Sequence, residues 1–406
     1  MRLSQRTLAQ IDSPIGVTYA LLEQRANRRE LLDLAQAVPR YPPAPEVMEH
    51  IAAVSRSAHG GDYVEIAGLP ILREAFAAEL AAAYGGQVHP DQLVITAGCN
   101  QAFCLVTLAL AEPGDEIVLT LPYYFNHDMW LRMNGMLPRY LDPGPGLIPE
   151  VAAAEALITP RTRAIVLVSP ANPTGVTLSP AQLADFLALA RRHDIALVLD
   201  ETYRTFRDTD EPAHDLFADP DWSDTLVSLH SFSKDLAIPG YRVGAIAAST
   251  ALNRQVLKVL DCAVICAPRI GQEAAWAGLV TAAGWRAARA AELADRRALL
   301  TTAMADRPGG FELLSTGGFF GWVRHPFAGR GIDDIVRELA LVHDTLVIPG
   351  TAFQPEDRGT FRVSVSNVGP AAIHDFAQRL GSIGASAIGQ EGAGHESADR
   401  SSSRSA

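Results

Sequence analysis

The sequence predicts an α/β fold in which a mostly parallel β-sheet is covered by helices on both faces. From residue 91 onward, short continuous apolar runs alternate with helical segments, which is typical of strands buried on both faces. Candidate functional residues follow several of these runs directly, at the strand ends where open α/β sheets bind ligands. The chain has 406 residues, which is too long for one core and indicates a second, smaller domain.

The composition is that of a globular enzyme and argues against several classes of partner. With 48% hydrophobic and 20% charged residues, the chain can bury a sizeable core. Its net charge of −12 argues against nucleic acid or an anionic membrane as the main partner. No apolar run approaches the roughly 20 residues that a membrane span requires. Residues 1–6 lack the apolar stretch of a secretory signal, so we expect a cytoplasmic protein.

The cysteines do not indicate a metal site or a disulfide framework. There are four, none of them forms a C-x-x-C pair, and they are few for a chain of this length: Cys99, Cys104, Cys262 and Cys266. We interpret them as free thiols and predict that the protein holds no metal.

Helical segments dominate the chain before residue 91. A Ser-Pro start signal, a cluster of prolines and apolar residues at helical spacing mark their limits. We expect, in order, a helical arm, a short strand, a helix beginning near residue 46, a loop and a second helix: residues 1–30, 31–36, from 46, 60–68 and 70–84.

The alternating region follows and leads into a C-terminal part of mixed structure. Its strands are predicted at 93–96, 117–120, 164–168, 195–199 and 226–229, with helices at 101–110 and 180–193. A long helical region over 252–306 should bridge to strands within 317–323, 346–349 and 360–365 and to helices near 331–341 and 370–382. We divide the chain into an N-terminal arm with part of the small domain, a large domain, a small domain and a disordered tail: residues 1–45, 46–295, 296–385 and 386–406.

One lysine stands among groups that favour phosphate. Lys234 follows Ser231 and Ser233, and Arg242 lies a short distance along the chain between small residues. A lysine amine acts as a nucleophile towards an aldehyde when desolvation or a nearby positive charge keeps it deprotonated. Hydroxyls and a guanidinium can hold a phosphate beside it. The segment therefore suits a Schiff-base lysine next to a phosphate pocket.

Three polar residues come after predicted strand ends upstream of that lysine. Asp200 could cap the next helix, or its carboxylate could pair with a protonated pyridine nitrogen and keep the ring cationic as an electron sink. Tyr203 is either a half-exposed core residue or a hydrogen-bond donor to the ring's 3-oxygen. Asn172, in an N-P-T-G turn, could offer its amide to the same oxygen.

Further candidates could bind a phosphate, contact a ring and bind a substrate carboxylate. Gly98, Cys99 and Asn100 open a helix, whose N–H groups and dipole can bind a phosphate. Tyr124 could lie flat on a ring, or belong to the core. Arg362 lies between strand apolars, so it should be buried or paired; a carboxylate clamp and a structural ion pair are the alternatives.

Taken together, these residues resemble the class I/II aminotransferase family. The resemblance covers roughly residues 31–381 and rests on five motifs in order: N-P-T-G at 172–175, D-E-x-Y at 200–203, S-x-S-K at 231–234, G-Y-R-V-G at 240–244 and F-R-V-S at 361–364. It implies a fold-type-I enzyme dependent on pyridoxal 5′-phosphate, with a seven-stranded sheet and a small α+β domain built from both termini. It also implies an amino acid and a 2-oxo acid as substrates.

The resemblance assigns a role to each candidate. Lys234 would hold the cofactor as a Schiff base and move a proton, while Asp200 would pair with the pyridine nitrogen. By the same resemblance Asn172 and Tyr203 contact the 3-oxygen, Tyr124 stacks on the ring, and Arg362 binds the substrate α-carboxylate beside the backbone N–H of Ala37. The phosphate would be held by Gly98, Cys99, Asn100, Ser231, Ser233 and Arg242, and by Tyr63 of a neighbouring subunit, which implies a homodimer with shared sites.

Two departures from the family pattern and the substrate side chain stay open. Ala37 stands where the family often has glycine, which should narrow the pocket mouth, and position 124 has tyrosine in place of tryptophan. Arg40 and Arg269 could read an acidic side chain, or form surface ion pairs. A lyase, cyclase or decarboxylase would use the same landmarks, whereas a purely binding protein would have no need of them. We expect His127, His230 and Trp130 to serve packing or pocket lining only.

Overall fold

The computed structural model describes residues 1–25, 29–209 and 211–396, and side chains up to residue 383. Its β-strands are β1 Leu32–Asp33, β2 Leu93–Thr96, β3 Glu116–Thr120, β4 Leu137–Leu141, β5 Thr162–Val168, β6 Ala196–Asp200, β7 Leu226–Ser231, β8 Gly244–Ala247, β9 Glu312–Gly317, β10 Phe320–Arg324, β11 Thr345–Leu346, β12 Ile348–Pro349 and β13 Thr360–Ser364. Its α-helices are α1 Gln5–Leu8, α2 Pro14–Ala20, α3 Pro45–Arg56, α4 Pro70–Tyr84, α5 Cys99–Leu110, α6 Phe125–Met133, α7 Val151–Glu155, α8 Pro180–Arg192, α9 Thr250–Val264, α10 Arg269–Thr281, α11 Ala283–Met304, α12 Ile332–Leu341 and α13 Pro370–Glu396.

A seven-stranded sheet organises the larger part of the molecule. Its strand order is β2-β8-β7-β6-β5-β3-β4, and only β8 runs antiparallel to its neighbours. Strands β5, β6 and β7 are almost fully buried because apolar clusters lie on both sides of the sheet. The prediction of a mostly parallel, seven-stranded α/β sheet is confirmed.

The order of the central strands explains why distant motifs meet. The carboxyl ends of β5, β6 and β7 lie side by side, and the segments that follow them begin at residues 169, 201 and 232. Asn172, Asp200 and Lys234 therefore come together at one edge of the sheet, as expected for an open α/β fold.

Two strands of this sheet were not predicted. Along β4 exposed and partly buried residues alternate, so the strand has no continuous apolar run. Strand β8 follows the G-Y-R-V-G motif and returns beside β7, pairing Ser231 with Gly244. Its run, Gly-Ala-Ile-Ala, holds one large apolar residue, unlike the continuous aliphatic runs of the predicted strands.

A smaller set of strands joins segments from both ends of the chain. An antiparallel sheet has the order β12-β13-β10-β9, and β1 pairs in parallel with β11 through Leu32 and Thr345. The expected bridging region is three helices, α9, α10 and α11, because Pro268 interrupts the first junction and Ala282 leaves the helix at the second. The domain boundaries at 45, 295 and 385 remain predictions.

The C-terminal helix is longer than expected. Helix α13 continues to Glu396 and so runs through the first part of the segment predicted as a disordered tail. Residues 397–406 of that predicted tail lie outside the described residues. Among the helices that the structure describes, none is long and apolar enough to cross a membrane.

Candidate active site

The sequence candidates line one cavity of about 220 Å³ at the carboxyl edge of the seven-stranded sheet. Its lining includes the last residues of β5, β6 and β7, the segment after β1, and Arg362 of β13. The predicted residues found in its lining are Ala37, Cys99, Asn100, Tyr124, Asn172, Asp200, Tyr203, Ser231, Ser233, Lys234, Arg242 and Arg362. Residues separated by more than 300 positions thus share one space.

Lys234 lines this cavity. Its Nζ donates a hydrogen bond to the carbonyl oxygen of Ala37 at 2.6 Å. Burial lowers the pKa of the amine to about 8, and the positive charges of Arg362 and Arg242 act in the same direction. The amine is therefore far easier to deprotonate than a surface lysine, which is what a nucleophilic lysine requires.

Asp200 is the last residue of strand β6 and also lines the cavity. Its Oδ1 accepts the backbone N–H of Thr202 at 2.9 Å and the thiol of Cys99 at 3.6 Å. The Thr202 contact is the local turn expected of a structural aspartate. Oδ2, however, faces His127 at 3.6 Å, and no lysine or arginine of the part of the chain that the structure describes pairs with this carboxylate. Burial raises the pKa of Asp200, which leaves its carboxylate in need of a cationic or donor partner.

His127 is a neighbour of this carboxylate that the sequence did not identify. The imidazole stacks on Phe103, with ring centroids 3.9 Å apart, and its burial lowers the pKa to about 3. The ring is therefore neutral and can donate one hydrogen bond towards Asp200. Its spacing from Tyr124, one helical turn away, is the signal that could have linked it to the site.

The phosphate candidates surround the start of helix α5. Gly98 is the N-cap with a φ of 88°, and a Cβ there would lie 2.2 Å from Nη2 of Arg242. Arg242 is held by the carbonyls of Pro239 at 2.9 Å and Ala97 at 3.4 Å, which aims its guanidinium at the helix start. Free N–H groups, an arginine and the hydroxyl of Ser231 therefore converge as an anion cradle.

Three further residues line the cavity: Tyr124, Tyr203 and Asn172. Tyr124 accepts a hydrogen bond from Asn126 Nδ2 at 2.9 Å and meets the edge of His127. Tyr203 packs edge-on against Phe320 at a centroid distance of 5.0 Å, and burial raises its pKa. Asn172 is buried and its Oδ1 accepts a hydrogen bond from Arg362 at 2.8 Å, which orients the amide group.

No carboxylate of the described residues pairs with Arg362. The side chain is 2% exposed, donates to Asn172 and to the carbonyl of Ala35, and lies between the faces of Phe320 and Phe353 at 5.0 and 5.1 Å. Its Nε is buried without a hydrogen-bond partner, and burial lowers its pKa to about 10. These contacts therefore contradict a structural ion pair, which was one of the two alternatives for Arg362 in the sequence analysis. A buried, unpaired guanidinium is suited to an incoming carboxylate.

Several candidates lie elsewhere. Tyr63 is 76% exposed and does not line the cavity of its own chain. Arg40 pairs with Asp33 at 3.0 Å and Arg269 with Glu273 at 3.4 Å, and neither residue lines the cavity. The remaining two pack as expected, since His230 bonds Ser228 and Trp130 donates to Thr107.

A buried group of four charges, not foreseen from the sequence, supports the lysine from behind. Arg286 of α11 contacts Glu79 of α4 at 2.7 Å and Asp235 at 2.8 Å, and Arg204 also contacts Glu79. Asp235 follows Lys234 and Arg204 follows Tyr203 in the chain. The network therefore ties two cavity residues to the helices that cover the sheet.

The fold and the cavity define a class of protein. A mostly parallel sheet that places a desolvated lysine between an anion cradle, a buried aspartate and an unpaired arginine is the arrangement of a fold-type-I enzyme. The model of the family "Aminotransferase class I and II" matches residues 29–380. The chain belongs to this family and is an aminotransferase; the family is known to use pyridoxal 5′-phosphate.

Similar proteins of known name span several substrates. The chain is 29% identical to the aromatic aminotransferase ISS1 of Arabidopsis thaliana, covering 93% of this chain and 95% of that protein. It is 30% identical to the valine–pyruvate aminotransferase of Mycobacterium tuberculosis, covering 91% and 95%. A single mutant of Thermus thermophilus aspartate aminotransferase has a similar structure, with a TM-score of 0.86, 26% identity and coverage of 94% and 100%. These names agree on transamination and differ in the amino acid.

Proposed function

We propose that this aminotransferase holds pyridoxal 5′-phosphate in the cavity around Lys234 and exchanges an amino group between an L-amino acid and a 2-oxo acid. The observation that carries the proposal is the pairing of a lysine of pKa about 8 with a buried, unpaired arginine across one cavity. Bound there, the cofactor supplies an electron sink for the electron pair released at the substrate Cα.

The residues present fit this cofactor in each of its parts. Lys234 would hold the aldehyde carbon, and the cradle of Gly98, Cys99, Asn100, Ser231, Ser233 and Arg242 would hold the phosphate. Asp200 would pair with the ring nitrogen, supported by its buried carboxylate without a cation. Tyr124 would cover a ring face, and Asn172 and Tyr203 would donate to the 3-oxygen.

The chain's own groups then bind the substrate and move its proton. Arg362 receives the α-carboxylate, supported by its free Nε and by flanking phenyl rings that exclude water. The backbone N–H of Ala37 assists it. With a pKa near 8, the amine of Lys234 can accept a proton from Cα and return it at neutral pH. The nearby Arg362 charge keeps that amine from holding the proton too firmly.

We also propose that two copies of the chain share their sites. Tyr63 extends from the loop between α3 and α4 and is exposed in the single chain. Exposed apolar residues accompany it at Ile66, Val264 and Ile265, and Gln272 links their two segments by bonding Leu69 and Ala267. In the dimer, Tyr63 would reach the phosphate in the partner's cavity. A cytoplasmic location remains a prediction.

The test is a half-reaction followed by absorbance. Cofactor-loaded protein mixed with an amino acid, without a 2-oxo acid, should convert its cofactor once to the amine form. Catalytic turnover with the aldehyde form restored would contradict transamination. Lys234→Ala should lose the near-visible band of the bound aldehyde form, and retention of that band would contradict the lysine assignment.

The carboxylate clamp has a matched control. Arg362→Ala should raise KM for the amino acid by about 100-fold or more, because a charge-assisted pair is lost. Arg324→Ala, on the neighbouring strand β10, removes a surface arginine that bonds Glu312 and should leave KM unchanged. Equal KM values for the two variants would refute the clamp.

A further inference from the structure

The cavity lining that has no proposed role in holding the cofactor is mostly apolar, with Ile15, Val38 and Phe125, and its polar side chains, Gln36 and Thr202, carry no charge. We infer that the amino donor is an L-amino acid with an apolar side chain, aliphatic or aromatic, and that Ile15 and Phe125 contact that side chain. The inference rests on the proposed function, since it uses Lys234 and Arg362 as the two fixed points of the bound amino acid.

The wall beside Arg362 is built from rings and aliphatic groups. Phe353 covers one face of the guanidinium, Phe125 lies 5.6 Å from Phe353, and Tyr124 lies 5.0 Å from Phe125, all between ring centroids. Ile15, from helix α2, packs into the same cluster and lines the cavity. A side chain leaving Cα towards this wall meets apolar surface.

The cations near the site are already committed. Among the described residues that line the cavity, the positive side chains are Lys234, Arg242 and Arg362, each with a proposed role. Arg40 is held by Asp33, which also accepts the hydroxyl of Tyr19 at 2.6 Å. Arg269 is held by Glu273. These two arginines were the sequence candidates for an acidic substrate, and neither faces the cavity.

This arrangement decides which substrate side chains can be buried favourably in the cavity. A second substrate carboxylate would lose its water and meet no free cation among the described residues that line the cavity, which is strongly unfavourable. An apolar side chain gains by burying its surface against the same wall. Discrimination by one missing methylene group reaches about 10- to 200-fold in such pockets, so a charge should be rejected at least as strongly.

The direct experiment is the single-turnover half-reaction with a panel of amino acids on cofactor-loaded protein. Leucine, methionine and phenylalanine should convert the cofactor with a rate per concentration about 100-fold or more above aspartate and glutamate. Faster conversion by aspartate or glutamate would overturn the inference and leave the proposed function intact. This also holds if a cation of the partner subunit is what binds the acidic side chain. Conversion by no amino acid would instead overturn the proposed function.

A pair of variants tests the wall itself. Ile15→Arg places a cation beside the substrate side chain and should raise the ratio of aspartate to leucine rates at least tenfold. Val17→Arg adds the same charge to the same helix at a position that is 54% exposed and outside the cavity, and should change that ratio less than twofold. Equal ratios in the two variants would show that Ile15 does not contact the substrate side chain. The panel on the wild-type protein tests the preference for apolar amino acids without either variant.

Discussion

Removing Arg286 should expose how strongly the charge network behind Lys234 depends on full pairing. Arg286 contacts both oxygens of Glu79, at 2.7 and 2.8 Å, and Oδ2 of Asp235 at 2.8 Å. In Arg286→Met, Glu79 keeps Arg204, whereas Asp235 loses the one side-chain hydrogen-bond partner that the described residues give it, and its Oδ1 already lacks one. Asp235 is 6% exposed, so a buried carboxylate would stand unpaired.

The cost of such a break is about 3–5 kcal/mol of unfolding free energy. Urea denaturation at pH 7, with the same cofactor state for both proteins, measures it. An exposed pair supplies the control, because Arg192 and Glu155 have side chains about half exposed and Arg192→Met should cost less than about 1 kcal/mol. A loss at position 286 as small as that of the control would refute the reasoning.

The dependence on pH has a definite sign. Burial raises the pKa of Asp235 in the folded protein, with Arg286 and Arg204 opposing it. A raised folded pKa favours the fold below the unfolded pKa of about 3.9, and that benefit is lost as pH rises through the folded value. Loss of Arg286 raises the folded pKa further, so the deficit of Arg286→Met should be smaller at pH 5 than at pH 7.

A second substitution separates charge from packing. Asp235→Asn in the Arg286→Met background removes the unpaired charge and keeps the shape of the side chain. It should recover about half or more of the lost unfolding free energy. If the double variant is no more stable than Arg286→Met, lost packing explains the deficit and the charge argument is wrong.

Two other substitutions test local features. In cofactor-free protein, Lys234→Met should raise the unfolding free energy by about 1–3 kcal/mol at pH 7, because a folded-state pKa of about 8 makes the charged amine unfavourable in the fold. This gain in unfolding free energy should vanish as pH rises from about 8 to 10.5, and a gain that does not depend on pH would contradict the prediction. Gly175→Ala should lower the unfolding free energy by about 2 kcal/mol or more beyond the loss caused by Gly144→Ala. Both glycines have positive φ, but only at position 175 would a Cβ lie 2.3 Å from the Gly317 nitrogen. Equal thermal stability of the two variants would refute the close contact.

Much of the site was predictable because its chemistry is local. Asp200 and Asn172 each follow a continuous apolar strand, and such strands are recognisable one at a time. The serines beside Lys234 and the glycine at the start of helix α5 are likewise features of short segments. The strand β4 was missed for the converse reason, since an edge strand with alternating exposure lacks the continuous apolar run.

What lay beyond the sequence concerns partners far apart in the chain. The alternatives for Arg362 differ in whether a carboxylate lies nearby, and Arg40 and Arg269 are distinguished from it by Asp33 and Glu273, which pair with them. Pairing across hundreds of residues depends on strand order and helix packing, which leave no local pattern.

The sequence by itself determined the class of fold and the family and supplied the candidates for the reactive groups, because periodicity and motif spacing act over short distances. Only the tertiary structure decided which charges are free and which are paired, and that the wall beside Arg362 is apolar. The physical reason is that desolvation and charge pairing are set by every group within a few ångströms, whatever its position in the chain.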